Sequence, residues 1–184
     1  ACQRITLGFQ KNMFTANDWN ADDSQDTRLC MGCMDGISND EKGAELFMKK
    51  TINLAFLYAI LAMIGGVFYR EFTKLSGFDG RTALSFVHTH LFLLGMVMFL
   101  IVTFCIKLFA IQESKKYRAF IIVYNIGVLL TSLMLAVRGV LQVNGSTLTS
   151  AANGMISGFA GIGHILVGIG MILLFLMLKE KVKE

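Results

Sequence analysis

Proline is absent from the 184 residues of this chain, so a kink in any of its helices must come from glycine or from an irregular turn. Charged residues are scarce as well. They make up 16% of the chain, whereas an average soluble domain contains about 25%. The sequence also offers no glycine-rich phosphate loop, no paired carboxylates and no nucleophile beside a base, which excludes the common forms of hydrolytic catalysis.

What the sequence does contain is four long apolar runs, at residues 51–69, 83–107, 119–141 and 153–178. Each run is close to the roughly 20 residues that a helix needs to span a bilayer. Residues 1–45 are polar by comparison. We therefore predict an all-α protein in which residues 46–184 form a transmembrane four-helix bundle. A short, loosely structured cytoplasmic segment precedes it.

The lysine and arginine residues indicate the orientation of these spans. They lie mainly before the first run, between the second and third, and after the fourth: Lys42, Lys49, Lys50, Lys107, Lys115, Lys116, Arg118, Lys179, Lys181 and Lys183. Because basic residues are enriched in cytoplasmic loops, we expect both termini inside the cell. The net charge of +4 is spread over loops rather than gathered on one face, so no nucleic-acid partner is expected.

The polar segment contains two cysteines in the pattern Cys30-Met-Gly-Cys33. This spacing suits a redox-active dithiol, or half of a zinc or iron–sulfur site. As a zinc site it is incomplete, because only Cys2 remains in the segment as a third thiolate. A pair of incidental thiols is the alternative, and the sequence leaves it open.

All three histidines lie within the apolar runs. An imidazole in hydrocarbon has no water to bond, so it needs a partner and usually marks a functional site. His88 and His90 are about 200° apart on a helix and face different neighbours. Since small residues favour close helix approach, the face that holds His88, Ser85 and Gly95 is the better candidate for the bundle interior. His90 is then a substitute or accessory ligand.

The fourth run holds His164 among residues with little or no side chain, with Gly161 and Gly168 on the same face. A histidine in such a strip has an open slot beside it, and a porphyrin needs a slot of this kind. The alternative is that the glycines form a small-xxx-small surface for helix packing. In that case His164 merely bonds a facing carbonyl or hydroxyl.

Two arginines lie towards the predicted outer side, Arg70 and Arg138. An arginine within a span is costly unless it pairs or reaches the interface. Arg138 has two candidate partners, the carboxylate of Glu71 or a haem propionate, which the guanidinium fork matches well. Both remain open.

Three functions follow from these residues. The first is binding of haem b by His88 and His164, for electron transfer or for redox or gas sensing, with the protein as part of an oxidoreductase system. The second is direct binding or transport of copper or zinc by the same histidines. The third is a structural or assembly subunit without a cofactor. A redox partner or a homodimer is compatible with each.

Five strings in the spans form a recognisable pattern: Leu57-Tyr-Ala-Ile, Gly66-Val-Phe-Tyr-Arg-Glu-Phe-Thr73, His88-Thr-His-Leu-Phe-Leu-Leu-Gly-Met96, Val137-Arg-Gly and Ile156-Ser-Gly-Phe-Ala-Gly-Ile-Gly-His-Ile-Leu166. Over roughly residues 50–180 they resemble an uncharacterised family of small four-helix bacterial membrane proteins. The resemblance implies the architecture and a bacterial inner membrane, but no activity. The shorter His88-x-His90 motif is similar to a histidine-bearing helix of haem–copper oxidase-like membrane proteins, where such histidines bind haem.

Overall fold

The computed structural model describes residues 24–145 and 149–183, with side chains from residue 42 onward. The chain divides into two units, Ala1–Asp40 and Glu41–Glu184. All side-chain contacts given below lie in the second unit. The predictions for residues 1–23, and for the thiols of Cys30 and Cys33, lie outside the described residues.

The described residues form helices and short connecting turns. The α-helices are Ser24–Leu75, Ser85–His90, Met98–Phe109, Tyr117–Val143 and Ser150–Val182; Leu91–Val97 is a π-helix and Ile111–Glu113 a 3-10 turn. Four stretches are long and apolar enough to cross a membrane, and we call them the first to fourth spans: Lys42–Leu75, Ser85–Phe109, Tyr117–Val143 and Ser150–Val182. The prediction of an all-α protein with four spans is confirmed. The first helix begins at Ser24, earlier than its apolar run predicts.

Polar contacts show which ends of the spans lie together. Lys116 Nζ is 2.7 Å from Glu180 Oε2, and Lys181 Nζ is 2.8 Å from Glu113 Oε2. These ion pairs join the start of the third span to the end of the fourth, and we call this the basic end of the bundle. At the opposite end, Thr82 Oγ1 donates to the carbonyl of Gly139 at 3.0 Å. Successive spans therefore run in alternating directions.

The centre of the bundle is aromatic. Tyr58, Phe99, Phe120 and Tyr124 are almost fully buried. The Tyr58 ring stacks on Phe99 at 5.7 Å, and Phe99 meets Tyr124 edge-on at 5.8 Å. The Tyr58 hydroxyl donates to Asn125 Oδ1 at 2.8 Å, so this buried hydroxyl has a hydrogen-bond partner, as a buried polar group requires.

The outer surface of the bundle is apolar. Large side chains on all four spans are more than half exposed, among them Met63, Leu93, Ile126 and Ile165. Apolar surface on this scale is unfavourable in water but suits contact with lipid tails. Exposure and helix length together support a bilayer as the surroundings of this protein.

The third and fourth spans approach most closely at glycines. A Cβ added at Gly127 would lie 2.7 Å from the backbone nitrogen of Val167, and one at Gly163 would lie 2.9 Å from the backbone nitrogen of Thr131. Neither position has room for a side chain. Small residues let helix backbones come close in membranes, and these glycines bring the fourth span against the third.

The second span is interrupted by the π-helix, Leu91–Val97. A π-helix widens the helical turn and is frequent at functional sites. The hydroxyl of Tyr124 donates to the carbonyl of Leu94 within this segment, at 2.9 Å. With no proline in the chain, the irregular turn is of the kind that the sequence allows. It follows His90 directly.

Candidate imidazole site between the second and fourth spans

Two histidines from different spans lie against each other in the described part of the chain. The ring centroids of His90 and His164 are 6.3 Å apart, and the ring planes are nearly perpendicular, at 86°. His90 is half-buried and His164 is exposed. The predicted convergence of imidazoles from two spans is therefore present, but the histidine of the second span is not the one that small residues favour.

Both imidazoles are held in the same way. His90 Nδ1 lies 2.9 Å from the carbonyl oxygen of Phe86, and His164 Nδ1 lies 2.8 Å from that of Ala160, in each case four residues back along the helix. A carbonyl oxygen only accepts hydrogen bonds, so Nδ1 must carry the proton. In a neutral ring the lone pair is then on Nε2. Each ring thus has a fixed tautomer and one nitrogen available to a metal.

The separation of the ring centroids is close to that of two imidazoles bound to one ion. A metal–imidazole bond is about 2.0 Å long and the bonding nitrogen lies about 1.1 Å from the ring centre, so two imidazoles on opposite sides of one ion have centres about 6 Å apart. The observed separation is 6.3 Å. A histidine ligand usually donates its other ring N–H to a carbonyl or carboxylate, and both rings do so here.

His88 lies on the other side of the second span, against the first span. A Cβ added at Gly66 would lie 3.8 Å from Cβ and Cγ of His88, and one at Gly65 would lie 3.9 Å from its backbone nitrogen. Its Nδ1 is buried, with no hydrogen-bond partner among the described residues. The expectation that His88 faces His164 thus differs from the structure, because the small residues around His88 fit the first span rather than the fourth.

The glycines named with the site have different surroundings. A Cβ added at Gly161 or Gly168 would meet nothing within 4 Å, so the face of the fourth span around His164 is open. Gly95 instead lies under the ring of Tyr58, whose Cβ would be 2.8 Å from an added Cβ. The structure therefore gives Gly95 a place in helix packing, and not beside the imidazole pair as the sequence suggests.

Arg138, on the third span, contacts the face of the fourth span that carries His164. Its Nη2 donates to Asn153 Oδ1 and to Ser157 Oγ, both at 2.8 Å. Ser157 precedes His164 by seven residues, or two helical turns, which is about 10 Å along the axis. The carboxylate of Glu71, one of the two partners considered for Arg138, lies 3.9 Å from Nε of its neighbour Arg70, whose side chain is 81% exposed.

Two features of the site escaped the sequence reasoning. The first is the pair of polar residues that hold Arg138, although Asn153, Ser157 and His164 recur at helical spacing and could have indicated one face. The second is the π-helix, for which no sequence pattern was recognised. Within the described residues no group of three or more His, Cys, Asp or Glu side chains could hold a metal ion.

Comparison with known proteins identifies a family without assigning an activity. A family model described as "Protein of unknown function (DUF2871)" matches residues 48–181, which cover all four apolar runs. No curated protein matches the chain, and no solved structure does. The similarity to haem–copper oxidase-like proteins stays a prediction. The chain belongs to the DUF2871 family of proteins of unknown function.

Proposed function

We propose that this protein is an integral membrane b-type haem protein in which His90 and His164 are the axial ligands. The observation that carries the proposal is the imidazole pair, 6.3 Å apart, with each Nδ1 bonded to a backbone carbonyl. A porphyrin occupies four positions around its iron, so two protein ligands complete the coordination. This replaces His88 with His90 as the ligand from the second span.

The surroundings of the pair fit such a group. The open positions at Gly161 and Gly168 leave space for a flat ring system beside His164. Arg138 of the third span contacts this face of the fourth span two turns from His164, and its guanidinium could bind a propionate as it now binds Asn153 and Ser157. A charge-assisted bond to a carboxylate is roughly twice as strong as one to a neutral oxygen. The residues present therefore suit both ends of a haem.

The ligand set favours electron transfer. Two histidines would complete the coordination of the iron, whereas gas sensing needs one position open. The protein sets the reduction potential of such a group through its axial ligands, their hydrogen bonds and burial from water. The proposal includes the bacterial inner membrane, with both termini in the cytoplasm, because the basic residues concentrate at one end of the bundle. A redox partner would then exchange electrons with the haem.

Absorbance of the purified protein tests the proposal. After expression with adequate haem supply, the wild type should show a Soret band and the oxidised-minus-reduced spectrum of a six-coordinate b-type haem. His90→Ala and His164→Ala should each lose this spectrum. His88→Ala is the matched control, since it removes an imidazole from the same helix but from the face against the first span, and it should keep the spectrum.

Other outcomes would overturn the proposal in distinguishable ways. Copper or zinc without iron in metal analysis would replace haem with a directly bound ion. A colourless, metal-free protein that loses only stability when both histidines are changed would indicate a structural subunit. Loss of the haem spectrum in His88→Ala, with the spectrum retained in His90→Ala, would restore the ligand pair that the sequence predicts.

A further inference from the structure

A cavity of about 600 Å³ opens at the basic end of the bundle, between the start of the first span, the 3-10 turn and the start of the third span. Its volume is within the range of about 300–1,000 Å³ that is usual for small-molecule sites. The cavity lies beyond the end of the second span, whereas His90 lies near the start of that span, towards the opposite end of the bundle. The imidazole site therefore does not account for it.

Three basic side chains line this cavity: Lys50, Lys115 and Arg118. None of them is in an ion pair with a carboxylate in the part of the chain that the structure describes. The nearby carboxylates Glu180 and Glu113 are bound by other lysines. Three like charges around one space repel each other, and an anion between them relieves that repulsion.

The walls deeper in the cavity are apolar. Leu54 follows Lys50 by four residues on the first span, and Ile121 and Ile122 follow Arg118 by three and four residues on the third. On both helices the basic residue is thus one turn, about 5.4 Å, nearer to the span's end than the apolar one. This layering matches an amphiphile whose charged head lies at the interface and whose chain lies in the hydrocarbon.

A further polar atom indicates the type of head group. Gln112, which also lines the cavity, has a buried Oε1 without a hydrogen-bond partner among the described residues. A buried acceptor of this kind is costly unless a donor reaches it. A hydroxyl on the head group would supply one, whereas a choline head has no O–H or N–H donor.

We propose that this cavity binds an anionic phospholipid with a hydroxyl-bearing head group, such as a phosphatidylglycerol. Lys50, Lys115 and Arg118 bind the phosphate, Gln112 accepts from the head-group hydroxyl, and an acyl chain lies along Leu54, Ile121 and Ile122. Basic pockets between membrane helices are known to take anionic head groups. This inference goes beyond the proposed haem function and does not depend on it.

Native mass spectrometry of the full chain in detergent tests the proposal, with phosphatidylglycerol and phosphatidylcholine as the lipid probes. Phosphatidylglycerol should be retained as a one-to-one adduct and phosphatidylcholine should not. The triple variant Lys50→Gln, Lys115→Gln, Arg118→Gln should bind it about 100-fold more weakly, since each basic residue near the surface contributes a factor of about five in affinity for an anionic lipid. The control variant Lys42→Gln, Lys107→Gln, Lys179→Gln makes the same charge change outside the cavity and should bind like the wild type.

The remaining results decide against the proposal. Equal retention of phosphatidylcholine, or equal losses in the triple and control variants, would mean that no specific head-group site exists. Displacement of the lipid by inorganic phosphate or by deacylated glycerophosphoglycerol would mean that the site takes a soluble anion. Should the triple variant fail to fold, as judged by circular dichroism, Lys115→Gln alone serves, because its side chain is exposed; unchanged binding would then refute the proposal.

Discussion

Alanine at Gly127 should separate the third and fourth spans, although it adds only one methyl group. An added Cβ would lie 2.7 Å from the backbone nitrogen of Val167 and 3.0 Å from the carbonyl oxygen of Gly163. Both are backbone atoms, so no side chain can rotate away to make room. The helices must move apart by several tenths of an ångström.

The magnitude follows from two opposing effects. Overpacking a tight contact costs about 1–3 kcal/mol, and a contact with backbone belongs at the upper limit. Alanine is a better helix former than glycine by about 1 kcal/mol. The net loss for Gly127→Ala should therefore be about 2 kcal/mol. Gly158→Ala is the matched control, since its Cβ would meet nothing within 4 Å, and it should gain up to about 1 kcal/mol.

Reversible unfolding in mixed detergent micelles, followed by circular dichroism, measures both variants against the wild type. Gly127→Ala should unfold at a lower denaturing-detergent fraction and Gly158→Ala at an equal or higher one. Equal stability of the two variants would refute the close approach of the third and fourth spans. Because Gly163 is next to His164, that result would also remove the support for the position of the imidazole.

Three further predictions concern single polar groups. Arg138→Gln should speed transfer of haem to a soluble acceptor by about 10- to 100-fold, through loss of a charge-assisted bond of about 1.5–3 kcal/mol; an unchanged rate would place the propionates elsewhere. Tyr124→Phe leaves the Leu94 carbonyl without its donor and should cost about 1–3 kcal/mol of unfolding free energy in detergent, whereas no loss would mean that another donor replaces the hydroxyl. Gln112→Leu removes a buried acceptor without a partner and should raise the melting temperature of lipid-free protein; a fall would show that Gln112 is bonded there.

The four spans could be predicted from the sequence because length and apolarity decide whether a helix crosses a membrane. The apolar run at 83–107 differs from the second span, Ser85–Phe109, by two residues at each end. The first helix extends further, and the polar residues before the membrane contain no proline that would interrupt it. Hydropathy carries no information on that point.

The choice between His88 and His90 could not be made from the sequence. The small residues beside His88 do mark a close helix contact, but the neighbour that fills it is the first span, at Gly65 and Gly66. The same limit applies to the fourth span. There Gly163 packs closely while Gly161, about 200° away on the same helix, is open. A helical projection gives the angles between side chains but not which neighbour each of them meets.

The wide turn Leu91–Val97 sets the angular register between the two halves of the second span. If the same seven residues took regular α-helical winding, everything before them would rotate by about 100° relative to Met98–Phe109. The deeper half is anchored by Phe99 in the aromatic centre, so the rotation would fall on the half that carries His90. The imidazole that faces the fourth span is therefore determined by an extra residue in the segment that follows it, and not only by its own place in the sequence.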